Sequence, residues 1–237
     1  MHDCHTHSLY SEDVDKQRGS SIDAMAARAL EIGLASIAIT DHLEIDNVGS
    51  PLHEPLDSDG IRRDVMAAKE KYAGRLNVIY GVELAQMMHK PDVTGKWLEK
   101  YRYEYVIGST HTLRDRSLFS SPDFFDGKSD AQLKASWELY LSEVREMLTA
   151  DSYDVLAHIT YPTRYYYKHG KEYLIDLEHK GREQFEDILK AVINKGVALE
   201  INTSGLRQPI GVTLPNRDLA AFYYELGGRE LSFGSDA

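Results

Sequence analysis

The stretch SIAITDH at residues 36–42 combines the two features that decide the fold. Its first half is short, apolar and rich in isoleucine, which is typical of a buried strand. Its second half places a carboxylate and an imidazole, Asp41 and His42, directly where that strand ends. The stretch therefore predicts a strand that delivers polar, metal-ligating side chains to one end of a sheet.

The same arrangement recurs along the chain, because short apolar segments alternate with longer segments of helical periodicity. In one helical segment Leu133, Trp137, Leu141 and Val144 recur at the spacing that gives one apolar face. We expect seven strands, at residues 2–5, 36–40, 77–82, 105–108, 155–159, 197–202 and 230–234. Strands that alternate with helices predict an α/β fold with a parallel sheet, either open or closed into a barrel.

Length and composition favour one globular domain over residues 1–237. Of the 237 residues 42% are apolar and 27% are charged, and no Pro/Gly/Ser-rich linker divides them. No apolar run approaches the roughly 20 residues of a spanning helix, and no secretory signal is visible at the N-terminus. We expect a cytoplasmic protein that does not bind membranes.

Charge and cysteine content exclude further classes. The chain carries 38 acidic and 27 basic residues, a net charge of −11, which argues against a nucleic-acid partner. Its single cysteine, Cys4, cannot form an intrachain disulfide, in agreement with a reducing compartment.

Residues that bind metals follow nearly every predicted strand. His5 and His7 are two positions apart, so both point to the same side of an extended strand. A single histidine here could simply be satisfied by backbone hydrogen bonds, but burying a whole cluster of imidazoles and carboxylates without a cation is costly. The candidate ligands are His5, His7, Asp13, His42, Glu83, His111, His158 and Asp236.

Eight candidate ligands are too many for one tetrahedral zinc ion, so they imply two or three divalent ions. Imidazoles mixed with carboxylates suit zinc, manganese or iron(II). Glu83 offers two oxygens and can bridge two ions. Two ions about 3.5 to 4 Å apart activate a hydroxide in phosphoester hydrolysis, which makes that chemistry our first expectation.

The ordered motifs resemble the polymerase-and-histidinol-phosphatase (PHP) superfamily. They are His5-Thr6-His7-Ser8, Thr40-Asp41-His42, Gly81-Val82-Glu83, Gly108-Ser109-Thr110-His111, Ala157-His158 and Gly234-Ser235-Asp236. Arg164 and the run of residues 200–207 most resemble the monofunctional histidinol-phosphatase branch. The resemblance implies a distorted (β/α)7 TIM-like barrel with its metal site at the C-terminal ends of the strands. It also implies metal-dependent hydrolysis of L-histidinol phosphate to L-histidinol and phosphate, a step of histidine biosynthesis.

The resemblance also assigns roles to residues. It places His5, His7, Glu83 and Asp236 on one ion, Glu83, His111 and His158 on a second, and Asp13 and His42 on a third. Its catalytic residues are Glu83, Asp236, Arg164 and Arg207. Both arginines are expected to bind the substrate phosphate as planar donors, with surface salt bridges as the alternative. The expected mechanism is one in-line attack by a metal-bridging hydroxide, with either Asp236 or a metal-bound water as the proton donor.

Two positions depart from the family pattern. The family's last motif is Asp-x-His, whereas this chain reads Asp236-Ala237 and stops, so we expect a domain cut short after the seventh strand and a third metal that is weakly held or absent. Other superfamily members have histidine at position 13, and the aspartate found here shifts the preference toward harder ions.

Three alternatives stay open at this point. The first keeps the chemistry and changes the substrate to another small phosphomonoester or a nucleotide. The second is an exonuclease module, which the acidic composition disfavours. The third is a truncated, inactive metal-binding domain.

Overall fold

Parallel strands alternate with helices along the chain. The structure is a computed structural model that describes residues 1–12, 14–15, 17, 19–53 and 55–237. Two groups of these residues form compact units. Unit 1 comprises Met1–Gly108, Ser152–Asp154 and Phe233–Ala237, and unit 2 comprises Ser109–Asp151 and Val155–Ser232.

Unit 1 contains the first five strands and three helices. The strands are β1 (His2–Thr6), β2 (Ser36–Ile39), β3 (His42–Glu44), β4 (Asn77–Ala85) and β5 (Tyr105–Ser109), whose last residue belongs to unit 2. The helices are α1 (Ile22–Glu31), α2 (Ser58–Lys71) and α3 (Pro91–Tyr101), and a short 3₁₀ helix covers Ile45–Asn47.

The sheet of unit 1 is parallel, as predicted. β2 lies between β1 and β4, with His2 opposite Ser36 and Ser36 opposite Asn77. The apolar faces of α1 and α2 pack on it, and the shared core includes Ile22, Ile39, Ile61, Val65 and Val78. The core residues thus hold the C-terminal ends of β1, β2 and β4 side by side.

β3 was not predicted from the sequence. The chain resumes an extended path at His42 and pairs with the end of β4, in the register His42 to Glu83 and Glu44 to Ala85. Only three residues long, β3 is too short to show its own periodicity, and it merges with the polar residues after β2.

Unit 2 contains four helices and the later strands. The helices are α4 (Asp130–Met147), α5 (Thr163–Lys168), α6 (Leu177–Lys195) and α7 (Arg217–Glu225), and 3₁₀ helices cover Glu172–Leu174 and Ser204–Arg207. β6 (Val155–Leu156) pairs in parallel with β7 (Ala198–Asn202). β8 (Leu231–Gly234) follows, and its last two residues belong to unit 1.

An aromatic cluster forms the core of unit 2. The fully buried ring of Trp137 lies at its centre, and the buried rings of Tyr140, Tyr166 and Phe185 have centroids 5.7 to 6.3 Å from it. Leu133, Leu141 and Val144 of α4 are buried as their helical spacing predicted.

All seven predicted strands are present, but β6 is shorter than expected. It ends at Leu156 instead of residue 159. The backbone of His158 has a φ of +23°, outside the range of an extended strand, so the chain turns there. No helix in the described ranges is long and apolar enough to cross a membrane.

Gly81, in the middle of β4, provides a test of the packing in unit 1. A Cβ at Gly81 would lie 2.8 Å from Thr40 Cγ2 and 3.0 Å from the carbonyl oxygen of Tyr105. We expect Gly81→Ala to lower the free energy of unfolding by about 1 to 3 kcal/mol, because backbone atoms cannot move aside without disturbing the sheet. Urea denaturation followed by circular dichroism measures the change.

Gly95→Ala is the matched control. Gly95 lies in α3, and nothing lies within 4 Å of a Cβ built there. Alanine should stabilise this exposed helical position by up to about 1 kcal/mol. Equal effects at the two glycines would contradict the packing described for β4.

Candidate metal centre

β1 directs two histidines to one side. His5 lies in β1 and His7 follows it, and both side chains are buried. Nε2 of His5 lies 3.2 Å from Oε2 of Glu83, and Nε2 of His7 lies 3.6 Å from the same oxygen. The alternation of an extended chain therefore brings both imidazoles to Glu83, as predicted.

The pairing of β3 with β4 supplies the third histidine. His42 stands opposite Glu83 in the register, and its Nδ1 lies 2.8 Å from Glu83 Oε2. The rings of His42 and His7 stack with centroids 4.3 Å apart. Glu83 is completely buried, so three imidazoles converge on one carboxylate that is shielded from water.

Asp236 joins the same cluster from the residues after β8. Its Oδ1 lies 3.0 Å from His7 Nε2 and 3.8 Å from His5 Nε2. Its N–H donates to the carbonyl of His5, and the N–H of His7 donates to the carbonyl of Ala237, which ties this segment to β1. Burial would raise the pKa of Asp236, but the neighbouring charge of His5 opposes that rise, and the pKa lies well below its ordinary value.

A further buried carboxylate, that of Asp41, supports the cluster. Asp41 accepts hydrogen bonds from the N–H of Ser8 at 2.6 Å and from the hydroxyl of Ser8 at 2.8 Å. Burial raises the pKa of Asp41, and the hydrogen bonds from Ser8 oppose that rise. Asp41 thus fixes the segment after β1, which carries His7.

The structure brings together five of the eight predicted ligands in unit 1: His5, His7, His42, Glu83 and Asp236. The predicted ligand Asp13 lies outside the described residues.

The other two predicted ligands are neighbours in unit 2. The Nε2 atoms of His111 and His158 lie 3.4 Å apart, and the ring of Tyr161 lies 5.2 and 5.3 Å from their rings. His158 is buried just beyond β6, where its N–H donates to Oε2 of Glu200 at 2.8 Å. This hydrogen bond fixes the turn that aims the imidazole.

Glu200 belongs to a buried polar group that the sequence did not assign. The side-chain amide of Asn202 donates to the carboxylate of Glu200, and its carbonyl accepts from both the N–H and the hydroxyl of Ser204. The alternation of Glu200 and Asn202 in β7 is the signal that could have revealed a polar face on this strand.

The two predicted phosphate ligands also lie in unit 2. Arg164 is in α5, and its guanidinium carbon lies 4.2 Å from the ring centroid of Tyr161 and 4.9 Å from that of Tyr165. Arg207 is the exposed last residue of the 3₁₀ helix Ser204–Arg207. Their contact with phosphate stays a prediction.

Gln86 is a second residue that sequence reasoning missed. It follows β4, its φ is +53°, and its side chain is buried. Neither amide atom makes a hydrogen bond within the part of the chain that the structure describes. A positive φ in a residue other than glycine and a buried amide without hydrogen bonds both cost free energy. This loop therefore lowers the stability of the fold close in sequence to Glu83. A single glutamine in a loop gives no sequence signal for this.

The cluster in unit 1 fits a divalent cation. A neutral imidazole has one N–H, and three imidazole nitrogens directed at one carboxylate oxygen exceed what hydrogen bonding to that oxygen can satisfy. A cation among these nitrogens and oxygens satisfies all of them. Imidazole with carboxylate is the ligand set of zinc, manganese and iron(II).

Comparisons with known proteins agree with this geometry. The sequence pattern of the PHP domain matches residues 3–204. The "Probable histidinol-phosphatase" of Clostridium acetobutylicum is 28% identical over 237 residues, which cover 99% of this chain and 85% of that protein.

Two solved structures share the fold. A candidate histidinol phosphatase, HisK, from Listeria monocytogenes superposes with a TM-score of 0.83 at 21% identity, over 100% of this chain and 94% of that one. Histidinol phosphate phosphatase (HisK) from Lactococcus lactis, complexed with zinc, L-histidinol and phosphate, superposes with a TM-score of 0.74 at 20% identity, over 99% and 85%. The likeness confirms the predicted fold class, the distorted (β/α)7 barrel of the PHP type.

Metal addition tests the cluster in unit 1. We expect zinc or manganese to raise the thermal midpoint of the chain, since a ligand at 100 times its Kd stabilises the folded state by about 2.7 kcal/mol. Glu83→Gln keeps the shape and removes the charge, so it should abolish most of this increment. Scanning calorimetry with and without a chelator measures it.

Glu143→Gln is the matched control, because Glu143 is also buried but accepts a hydrogen bond from the N–H of Arg114 in unit 2. It should retain the full metal-dependent increment. An undiminished increment in Glu83→Gln would remove Glu83 from the metal site.

Proposed function

The chain belongs to the PHP domain family, and from that premise we propose that it is a metal-dependent phosphomonoesterase that hydrolyses L-histidinol phosphate to L-histidinol and phosphate. This reaction belongs to histidine biosynthesis. The first alternative from the sequence is that the substrate is another small phosphomonoester or a nucleotide. The phosphate-release assay below distinguishes that alternative from this proposal.

The convergence of His5, His7 and His42 on the buried carboxylate of Glu83 carries this proposal. Such a donor set serves hydrolysis by holding divalent cations. The Lactococcus lactis relative, whose structure was solved with zinc, L-histidinol and phosphate, supports the choice of metal and substrate.

We assign the metal ligands as the sequence predicted them: His5, His7, Asp13, His42, Glu83, His111, His158 and Asp236. Two to three ions of zinc, manganese or iron would be held. Bound ions supply Lewis acidity at the phosphoryl group and lower the pKa of water, so that hydroxide is available near neutral pH. The protein's contribution is to hold the ligands in place before the substrate arrives.

The buried ligands in unit 1 are suited to that task. Glu83 and His42 are fixed by the pairing of two strands, and Asp236 is fixed by backbone hydrogen bonds to β1. Because the main chain sets these positions, binding a cation requires little reorganisation, and charge developing on the phosphoryl oxygens meets a prepared site.

Arg164 and Arg207 are proposed to bind the phosphate. The guanidinium of Arg164 lies against the rings of Tyr161 and Tyr165, which restricts its orientation. A planar group held in this way presents two N–H donors in parallel to the oxygens of a phosphate monoester. We propose the same role for Arg207.

The partner is therefore a small phosphorylated molecule. Location in the cytoplasm and the absence of nucleic-acid and membrane partners remain predictions from composition.

Phosphate release is the direct test of the function. We expect the manganese- or zinc-loaded chain to hydrolyse L-histidinol phosphate with a kcat/KM at least about 100-fold above that for a nucleoside monophosphate or an aryl phosphate, since a matched site discriminates by a few kcal/mol. Colorimetric phosphate detection, with chelator-treated protein as the blank, measures the rates. Comparable turnover of all three would overturn the substrate assignment and leave the phosphatase chemistry standing.

Arg164→Lys tests the phosphate ligand, because it keeps the positive charge and removes the planar fork. We expect kcat/KM for L-histidinol phosphate to fall about 100-fold, as when one oriented donor is lost. Steady-state kinetics of both proteins measure it.

Arg145→Lys is the control, because Arg145 pairs with Asp187 on the surface of unit 2. Its kinetics should match the parent chain. If Arg164→Lys also keeps the kinetics of the parent chain, the planar guanidinium of Arg164 does not bind the phosphate.

A further inference from the structure

Ser11 is a buried serine whose hydroxyl oxygen touches two of the candidate metal ligands. It has no exposed surface. Its Oγ lies 3.3 Å from Nδ1 of His7 and accepts a hydrogen bond from the main-chain N–H of His42 at 3.0 Å. Asp41 also forms a side-chain hydrogen bond with Ser11. No role for Ser11 follows from the sequence motifs.

The contact with Asp41 sets the direction of the Ser11 hydroxyl proton. Both oxygens of Asp41 accept hydrogen bonds from Ser8, so Asp41 acts as the acceptor in this group of hydrogen bonds. The hydroxyl of Ser11 therefore donates to Asp41. A hydroxyl has one hydrogen and two lone pairs, so the contacts of Oγ with Nδ1 of His7 and with the main-chain nitrogen of His42 must be made by donors.

One of those donors is the N–H of His42, and the other is then Nδ1–H of His7. A neutral imidazole that carries its hydrogen on Nδ1 has a lone pair on Nε2. Nε2 of His7 is the atom that faces Asp236 at 3.0 Å and Glu83 at 3.6 Å. Two acceptors around a lone pair are unfavourable unless a cation lies among them.

We propose that Ser11 is a positioning residue in a hydrogen-bond relay, in which its hydroxyl donates to Asp41 and accepts from Nδ1–H of His7. This relay holds His7 as the Nδ1–H tautomer, which binds a divalent metal through Nε2. The inference rests on the proposed function only in requiring that His7 is a metal ligand, and it is independent of the substrate. Hydrogen bonding to the distal nitrogen of a ligand histidine also raises its basicity and fixes its ring.

Two variants of the full zinc-loaded chain test the relay. Ser11→Ala removes the acceptor, so zinc affinity should fall about 10- to 100-fold for one ion per chain. Asp41→Asn keeps the shape and puts an amide donor where the acceptor stood, which turns the Ser11 hydroxyl toward His7 Nδ1 and favours the wrong tautomer. It should weaken zinc binding similarly and remains informative if Ser11→Ala does not fold. Competition with a chromophoric chelator measures both.

Nitrogen NMR provides the readout that a merely structural role would not move. With ¹⁵N-labelled histidine, the zinc-loaded parent chain should show a slowly exchanging Nδ1–H of His7, assigned by its loss in His7→Asn. In Ser11→Ala this proton should exchange fast, and Ser11→Thr, which keeps the hydroxyl, should restore slow exchange.

Ser36→Ala is the matched control. Ser36 is a buried serine of β2 whose Oγ lies 2.8 Å from Nδ1 of His2, a histidine outside the metal cluster. Its zinc affinity and the His7 signal should be unchanged. Unaltered zinc affinity in both Ser11→Ala and Asp41→Asn, or a His7 hydrogen on Nε2 in the parent chain, would overturn the relay. Zinc binding that weakens as expected in a chain inactive on L-histidinol phosphate would overturn only the substrate.

Discussion

The convergence of three imidazoles on the buried carboxylate of Glu83 is the interaction on which the rest of unit 1 depends. A carboxylate removed from water loses several kcal/mol of solvation, and only close, well-oriented partners offset that loss. The structure supplies them through main-chain geometry: alternation in β1, the register of β3 with β4, and the backbone bonds between Asp236 and β1. The parallel sheet and the packing of α1 and α2 are therefore conditions for the cluster.

Much of this could be predicted from the sequence, because the signals are local. Apolar segments followed by histidine or carboxylate gave all seven strands and named five residues that meet in unit 1. The i, i+2 spacing of His5 and His7 alone gave their common direction. Such features can be recognised in the sequence because the side chains of an extended strand alternate between its two faces.

The rest could not be predicted, because it depends on contacts between distant residues or on single dihedral angles. The turn at His158 has a positive φ, and no glycine at this position indicates it in the sequence. The turn is held by a hydrogen bond to Glu200, which is far away in the sequence. The strand β3 exists because its neighbour β4 runs on past Glu83. The proposed positioning role of Ser11 depends on the direction of its hydroxyl proton. Asp41 sets that direction, and the spacing of residues in the sequence does not indicate it.

The pairing of β3 with β4 has an evolutionary consequence. Side chains on a strand alternate between faces, so inserting or deleting one residue between Thr40 and His42, or within β4 before Glu83, would turn one ligand away from the other. The segment that joins β3 to α2 carries no such constraint, since its length changes neither register. Related sequences should therefore vary in length after Glu44 while keeping the count of residues before it, and such variation leaves the metal cluster intact.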